Sequence, residues 1–344
     1  MLLGREKITV TRAIERLFGM QAQLARPPYV GLFSRIEGFG AEDLRTAVQD
    51  RTVVRATLMR GTLHVMTAKD YALFRPVLQV ALDHGLKSVL RERMKTIDVA
   101  SIAASARAFF ETPHTFDELR NSLGKKADPR AHAFAARLCV PLVQVADDSP
   151  WGYPTVARFI AADAWFENAK KKTAAVDLRE LVRRYLAAFG PASVTDAQAW
   201  SGIPALGPTF DALRDELTLV HHEGKRELWD LPGSPRPDDD TPAPPIFLPE
   251  FDNLVLAYAD RTRFVAKAHR KAIYLPGLRV APTFLVDGAV AGVWKVTCVK
   301  SKATLQIDAF DSLSVKVRRA LADEGSLLAR FIEPDAASFD VRFS

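Results

Sequence analysis

Two glutamines near the start of the chain, Gln21 and Gln23, are the residues whose type and spacing point most directly to chemistry. The apolar positions of residues 10–18 predict an amphipathic helix, and Gln21 falls on its apolar face, where a leucine is expected. If the helix ends near Gly19, extended residues alternate faces and both amides project the same way from an apolar wall. Paired amides can hold a water by hydrogen bonds, although backbone groups or buried waters can equally satisfy them.

Other polar residues allow similar pairs of interpretations. Arg60 lies in a predicted hairpin turn, where it either contacts a phosphate or remains a solvated tip. His64, on the strand that follows, is either a structural histidine or part of a site. Glu250 and Asp252, with the Asp260–Arg263 segment, surround one apolar strand, and this cluster suits either a site or a structural salt-bridge network.

Composition excludes several classes of protein. The 344 residues are 48% hydrophobic and 26% charged, which is neither disordered nor collagen-like. No apolar run reaches the roughly 18 residues of a membrane span, and the first residues show no secretory core. The two cysteines, Cys139 and Cys298, cannot form a disulfide framework or a thiolate zinc site, so the cytoplasm is the expected compartment.

The usual catalytic signatures are missing from the sequence. It contains no GxxxxGK[ST], GxGxxG, HExxH or GxSxG motif, and its seven histidines are scattered. Metal and cofactor chemistry is therefore not expected.

The positive charge is concentrated in the first half of the chain. Residues 1–175 hold 26 lysines and arginines against 18 acidic residues, whereas residues 176–344 hold 21 against 23. A basic half is typical of a polyanion-binding protein, but also of a solvated basic surface.

An order of three helices followed by a hairpin recurs along the chain. The predicted hairpins are 53–58 with 62–67, 142–145 with 156–160, and 217–223 with 225–231, and Asp287-Gly288 predicts a further hairpin turn. Thr67 with Asp70 and Thr115 with Glu118 predict capping boxes at the starts of two helices. Three helices and a hairpin are the winged-helix arrangement, whose third helix suits a DNA major groove. A Pro-rich acidic stretch at 232–245 precedes mostly β sequence, which predicts a small antiparallel barrel or sandwich with a late helix.

We therefore predict an α+β protein with four modules. Residues 1–97, 98–172 and 173–235 form winged-helix units, and 236–344 form a linker and a C-terminal antiparallel β-barrel-like module.

Several segments resemble the AlkZ/YcaQ family of bacterial DNA glycosylases, in order and over nearly the full length. The matching segments are Gly19–Gln23, Tyr29–Arg35, Leu58–His64, Leu248–Asn253 continuing to Arg261, Phe284–Gly288 and Gly292–Lys295.

The resemblance implies tandem winged helices in a C shape, and removal of N7-alkylated purines, including bulky natural-product adducts and interstrand crosslinks. The family has Gln-apolar-Gln and Gln-apolar-Asp variants, and Gln21 and Gln23 match the first, AlkZ-like branch, which is often linked to self-resistance against alkylating antibiotics. Gln21 and Gln23 are then the expected catalytic residues. The expected DNA contacts are Arg26, Arg55, Arg60, His64 and Arg261, with Asp252 or Glu250 as candidate assisting carboxylates.

The leading hypothesis is a monofunctional DNA glycosylase that acts as a monomer on double-stranded DNA carrying N7-alkylpurine lesions, without a metal, a cofactor or a membrane. The main alternative is a non-enzymatic winged-helix DNA-binding protein such as a transcription regulator, since three wings and a basic half support it equally well. A protein-interaction scaffold built of degenerate winged helices is a third hypothesis.

Overall fold

The computed structural model describes residues 1–124, 128–166, 176–221, 227–238 and 240–344. The chain forms two compact units, each made of separated stretches. Unit 1 comprises Met1–Ala13, Leu24–Arg45 and Pro235–Ser344, and unit 2 comprises Ile14–Gln23 and Thr46–Ser234. Helices and strands occur in both, so the predicted α+β class is confirmed.

The helices are α1 (Val10–Arg16), α2 (Pro27–Phe33), α3 (Ala41–Gln49), α4 (Ala68–Leu90), α5 (Val99–Phe109), α6 (Phe116–Ser122), α7 (Pro129–Cys139), α8 (Ala162–Trp165), α9 (Leu178–Phe189), α10 (Val194–Ser201), α11 (Gly207–Asp211), α12 (Asn253–Leu256), α13 (Arg270–Ile273) and α14 (Val315–Ile332). The strands are β1 (Met20–Gln21), β2 (Val53–Thr57), β3 (Leu63–Thr67), β4 (Leu142–Gln144), β5 (Phe159–Ala161), β6 (Thr218–His221), β7 (Glu227–Asp230), β8 (Ile246–Leu248), β9 (Tyr274–Leu275), β10 (Arg279–Val280), β11 (Thr283–Val286), β12 (Ala289–Val299), β13 (Lys302–Ala309) and β14 (Ser338–Phe343).

Unit 2 contains a five-stranded antiparallel sheet in the order β1-β3-β2-β4-β5. The first two predicted hairpins are both present, and they are joined into one sheet where Ala56 of β2 pairs with Val143 of β4. The third hairpin, β6–β7, forms a separate two-stranded sheet. Its predicted turn, 223–225, and His222 lie outside the described residues.

Of the two predicted capping boxes, one is present in full and the other in part. Thr115 and Glu118 form the predicted capping box of α6, and Asp177 caps α9. At α4 the Thr67 side chain accepts from the Asp70 backbone N–H, as predicted. The Asp70 carboxylate does not close the box, because it pairs with Arg184 Nη1 at 3.0 Å.

Unit 1 contains a second five-stranded sheet, in the order β14-β13-β12-β11-β8. The predicted Asp287-Gly288 turn joins β11 to β12 with both residues at positive φ, as a type I′ hairpin requires. Helix α14 packs on this sheet through Leu321 and Leu328.

The predicted barrel-like module is an open sheet in the described residues. Strands β8 and β14 are its two edges, and no closed barrel forms. Its last pair, β13–β14, is parallel rather than antiparallel, because α14 carries the chain back between the two strands.

Candidate active site

The turn that delivers Gln21 begins at the end of α1. Phe18 N–H bonds to Glu15 O and Gly19 N–H bonds to Ile14 O, the paired bonds of a Schellman motif with Phe18 in the left-handed position, at φ 50°. Gly19 follows at φ 85°, and a Cβ there would lie 3.2 Å from Val65 O. The helix therefore ends at Arg16, earlier than the apolar pattern predicts, and the chain enters a strand.

Packing holds Phe18 in this unusual conformation. Its ring stacks on Trp200 with centroids 5.0 Å apart and meets Phe74 edge-on at 4.6 Å. The Arg184 guanidinium lies 5.0 Å above the same ring and donates to Glu15 O. The last turn of α1 is therefore fixed by aromatic and cation–π contacts from distant elements.

Gln21 lies on β1, at the edge of the sheet, directly opposite His64 of β3. Its side chain is buried, and its Oε1 accepts a hydrogen bond from Arg60 Nη2 at 2.8 Å. The second nitrogen of the same guanidinium, Nη1, donates to Trp200 O. Arg60 is thus partly buried and contacts the candidate catalytic side chain.

Gln23 is exposed, but its amide is also fixed. Its Oε1 accepts from Leu63 N–H at 2.9 Å, and Ala22 N–H bonds to Leu63 O at 2.7 Å. The Gln23 side chain therefore continues the hydrogen-bond ladder between β1 and β3 beyond the end of β1. Within the described residues, neither glutamine's side-chain nitrogen bonds to another residue.

Arg55, on β2, holds the backbone of the same motif. Its guanidinium donates to Ala22 O at 2.8 Å and to Gln23 O at 3.2 Å, and it lies over the Tyr153 ring at 5.1 Å. Burial lowers the pKa of Arg55 to about 10, so it stays charged at neutral pH. This inward position suits support of the motif better than contact with a phosphate.

His64 is completely buried, and burial with the nearby Arg60 charge lowers its pKa to about 3. Its Nδ1 donates to Thr62 O at 3.0 Å, which leaves Nε2 as the acceptor, without a partner in the described residues. A neutral imidazole in this place is a packed element of the sheet.

This burial predicts a pH dependence of stability. The unfolded chain protonates His64 near pH 6.5 and the folded chain does not, so stability falls as pH drops below 6.5. We expect His64 to reduce the free energy of unfolding by about 2 kcal/mol between pH 7.5 and pH 5.0. Urea unfolding at both pH values measures this loss.

His64→Gln is expected to lose this part of the pH dependence. His84→Gln, at an exposed histidine, is expected to retain it. The same pH dependence in wild type and His64→Gln would refute the assignment.

The remaining candidate residues lie in unit 1. Arg26 Nη2 bonds to Glu250 Oε1 at 3.0 Å, and Arg261 donates to Tyr258 O and lies over the Tyr274 ring at 4.2 Å. Asp252 is buried, where it accepts from Arg35 and caps α12. DNA contact by Arg26, Arg55, Arg60, His64 and Arg261, and assistance to catalysis by Glu250 or Asp252, stay predictions.

Several supporting residues escaped sequence reasoning. The contacts of Arg60 with Trp200, and of Arg184 with Asp70 and Glu15, join residues more than 100 positions apart. Such contacts produce no periodic pattern in the sequence.

In the described part of the chain, no group of three or more metal-ligating side chains is placed to hold a metal ion, and no helix has the length and hydrophobicity to cross a bilayer.

Comparison with known proteins gives consistent matches. The family model described as DNA glycosylase AlkZ-like matches residues 14–331. A Streptomyces sahachiroi protein named interstrand DNA cross-link repair glycosylase is 24% identical over 329 residues, which cover 85% of this chain and 83% of that protein. The solved structure of Streptomyces sahachiroi DNA glycosylase AlkZ shares the fold, with a TM-score of 0.77 and 21% identity over 100% of this chain and 95% of that one. Since the family match spans most of the chain and includes both glutamines, the protein belongs to the AlkZ-like DNA glycosylase family.

Proposed function

We propose that this glycosylase hydrolyses the N-glycosidic bond of N7-alkylated purines in double-stranded DNA, including bulky and crosslinking natural-product adducts. The relative named as a cross-link repair glycosylase supports this substrate class. The observation that carries the chemistry is the pair Gln21 and Gln23, whose amide oxygens are each fixed by a protein donor.

Family membership makes the protein a DNA glycosylase and does not support the alternative of a non-enzymatic regulator. Glycoside hydrolysis usually employs two carboxylates as acid and base. An amide cannot act as a base near neutral pH, so the reaction here must need less acid and base assistance from the protein.

The N7-alkylated purine itself removes the need for a general acid in the site. Alkylation at N7 makes the purine cationic, so it leaves as a neutral base without a strong general acid. The remaining task is to orient a water at C1′ and to stabilise a sugar that resembles an oxocarbenium ion.

The geometry of the two amides suits this task. A carbonyl oxygen has two lone pairs. Arg60 occupies one lone pair of Gln21 Oε1, and Leu63 N–H occupies one of Gln23 Oε1. Each oxygen can accept a further bond from water, and a carbonyl dipole of this kind can stabilise developing positive charge.

Net charge does not distinguish the two units as DNA-binding surfaces. Unit 1 holds 21 lysines and arginines against 18 acidic residues, and unit 2 holds 26 against 23, so each carries an excess of three. We assign phosphate contact to Arg26 and Arg261 among the candidate residues, because Arg55 and His64 are buried. Three winged-helix units remain the proposed architecture of residues 1–235.

The test is an excision assay on four matched duplexes. They carry N7-methylguanine, a bulky N7-guanine adduct, an N7-linked interstrand crosslink or uracil, and alkali then cleaves the abasic sites. We expect release from the three N7 lesions and none from uracil, because uracil is a neutral base and needs acid assistance to leave.

We propose that the enzyme is monofunctional, so the DNA strand is cleaved only after alkali is added. We also propose that it acts as a monomer in the cytoplasm. Release of uracil at a comparable rate would contradict the cationic leaving-group mechanism. Activity on N7-methylguanine alone would contradict the bulky substrate class.

A further inference from the structure

Arg60 makes contacts within the protein that binding to a DNA phosphate does not explain. It lies in the short turn between β2 and β3, at φ 57°, and its guanidinium reaches Gln21 Oε1 and Trp200 O at the same time. Residue 60 therefore links the edge strand that carries the candidate catalytic residue to the end of α10.

The chemistry of the two partners fixes the direction of the Gln21 amide. A guanidinium only donates hydrogen bonds, so it can face the oxygen of an amide but not its NH₂ group. Rotating the Gln21 amide by half a turn would place N–H groups against a cation. Arg60 thus selects one of the two amide orientations and leaves the nitrogen on the other side.

Arg60 is itself held rigidly by its surroundings. Trp200, which provides the carbonyl, stacks on Phe18 and packs against Tyr185 at 5.3 Å. Gly202, at φ 80°, lies so close that a Cβ would sit 3.1 Å from Arg60 Cα. A glycine at this point lets the backbone after α10 approach Arg60 directly.

We propose that Arg60 is a positioning residue, which sets the orientation of the Gln21 amide for catalysis and is not primarily a phosphate contact. The inference rests on the proposed catalytic role of Gln21. It assigns Arg60 an effect on the chemical step that passes through Gln21 alone.

A double-mutant cycle with Gln21→Ala and Arg60→Ala tests this assignment. The readout is the single-turnover rate of release of N7-methylguanine at saturating enzyme. We expect Arg60→Ala to be slower than wild type by about tenfold or more, and the double variant to match Gln21→Ala within about twofold. Effects that multiply in the double variant would overturn the proposal.

Salt dependence of binding separates positioning from phosphate contact. On a duplex with an uncleavable abasic-site analogue, loss of one phosphate contact lowers the slope of log affinity against log salt by about one. We expect Arg60→Ala to keep the wild-type slope. A reduced slope together with a wild-type single-turnover rate would show that Arg60 contacts phosphate.

Arg51→Ala is a matched control. Arg51 is also an arginine at positive φ, at 60°, and it also donates to a tryptophan carbonyl, Trp165 O, but it touches neither glutamine. We expect this variant to keep the wild-type rate. If Arg51→Ala slows release as much as Arg60→Ala does, the effect is not specific and the proposal fails.

Arg60→Lys tests whether misfolding explains a slow rate in Arg60→Ala. Lysine keeps the charge but provides a point donor that cannot span both carbonyls. We expect a folded variant, by thermal melting, with a rate between wild type and Arg60→Ala. A wild-type rate in Arg60→Lys would overturn the need for a guanidinium fork.

The two hypotheses fail in different ways. A wild-type rate in Gln21→Ala refutes the proposed role of Gln21 and the inference with it. A slow Gln21→Ala with fully active Arg60 variants refutes only the inference.

Discussion

Replacing Gln21 or Gln23 by alanine is expected to slow the release of an N7-alkylated purine by about a hundredfold or more. Removal of one preorganised polar group from an active site typically has an effect of this size. Both oxygens are fixed before substrate binds, by Arg60 and by Leu63 N–H, so alanine removes an oriented dipole and not merely a flexible chain. The bond from Ala22 N–H to Leu63 O and the bonds from the Arg55 guanidinium to Ala22 O and Gln23 O remain in either variant, so the fold is expected to persist.

Single-turnover excision at saturating enzyme measures this effect, with thermal melting as a check on folding. Gln49→Ala is the control, since Gln49 is an exposed glutamine of unit 2 that bonds to Asp148. Equal activity of both variants and wild type would exclude the glutamine pair. The isosteric changes to glutamate then show which end of each amide works, because glutamate keeps the acceptor and loses the N–H donors.

Arg35→Met is expected to lower the free energy of unfolding by about 3–5 kcal/mol, the usual loss when one partner of a buried ion pair is removed. Arg35 and Asp252 are both buried, with Nη2 and Oδ1 2.9 Å apart. Arg35 also donates to Gly31 O, within the α2 segment, and Asp252 caps α12. Methionine fills a similar volume but leaves the carboxylate charged and without its cation.

Urea unfolding measures the loss of stability, and two further variants test whether the unpaired buried charge causes it. Arg35→Met with Asp252→Asn removes the uncompensated charge and is expected to recover part of the stability. Arg45→Ala removes an exposed pair with Glu42 and is expected to change stability by less than about 1 kcal/mol. A similarly small loss in Arg35→Met would show that the buried carboxylate finds another partner.

Sequence patterns predicted the local elements of this protein well. The turn around Arg60 located the hairpin of β2 and β3, and the Asp287-Gly288 pair located the turn between β11 and β12. These signals are local, since a strand or a turn depends on neighbours within a few residues. The end of α1 was misplaced, because Phe18 accepts a left-handed conformation that only its packing against Trp200 and Phe74 explains.

The candidate site was predicted only in part. The two glutamines stood out because a polar residue interrupted an apolar face, which is visible in one dimension. Their partners did not, since Arg60 is 39 positions from Gln21, and Arg55 is 32 from Gln23. A pattern in charge or periodicity cannot distinguish an arginine that grips a backbone carbonyl from one that faces solvent.

The division of unit 1 into three stretches bears on how the enzyme is made. The segment with both glutamines, Ile14–Gln23, lies between two stretches of unit 1, whose third stretch, Pro235–Ser344, is 110 residues long. A ribosome adds about 5–20 residues per second, so this stretch takes about 5–20 seconds to synthesise after the last residue of unit 2 has been added. During that interval the nascent chain contains all of unit 2. Unit 1, whose first two stretches flank the glutamine segment in the sequence, still lacks its third stretch. Folding of unit 1 therefore depends on residues that are made only after the whole of unit 2.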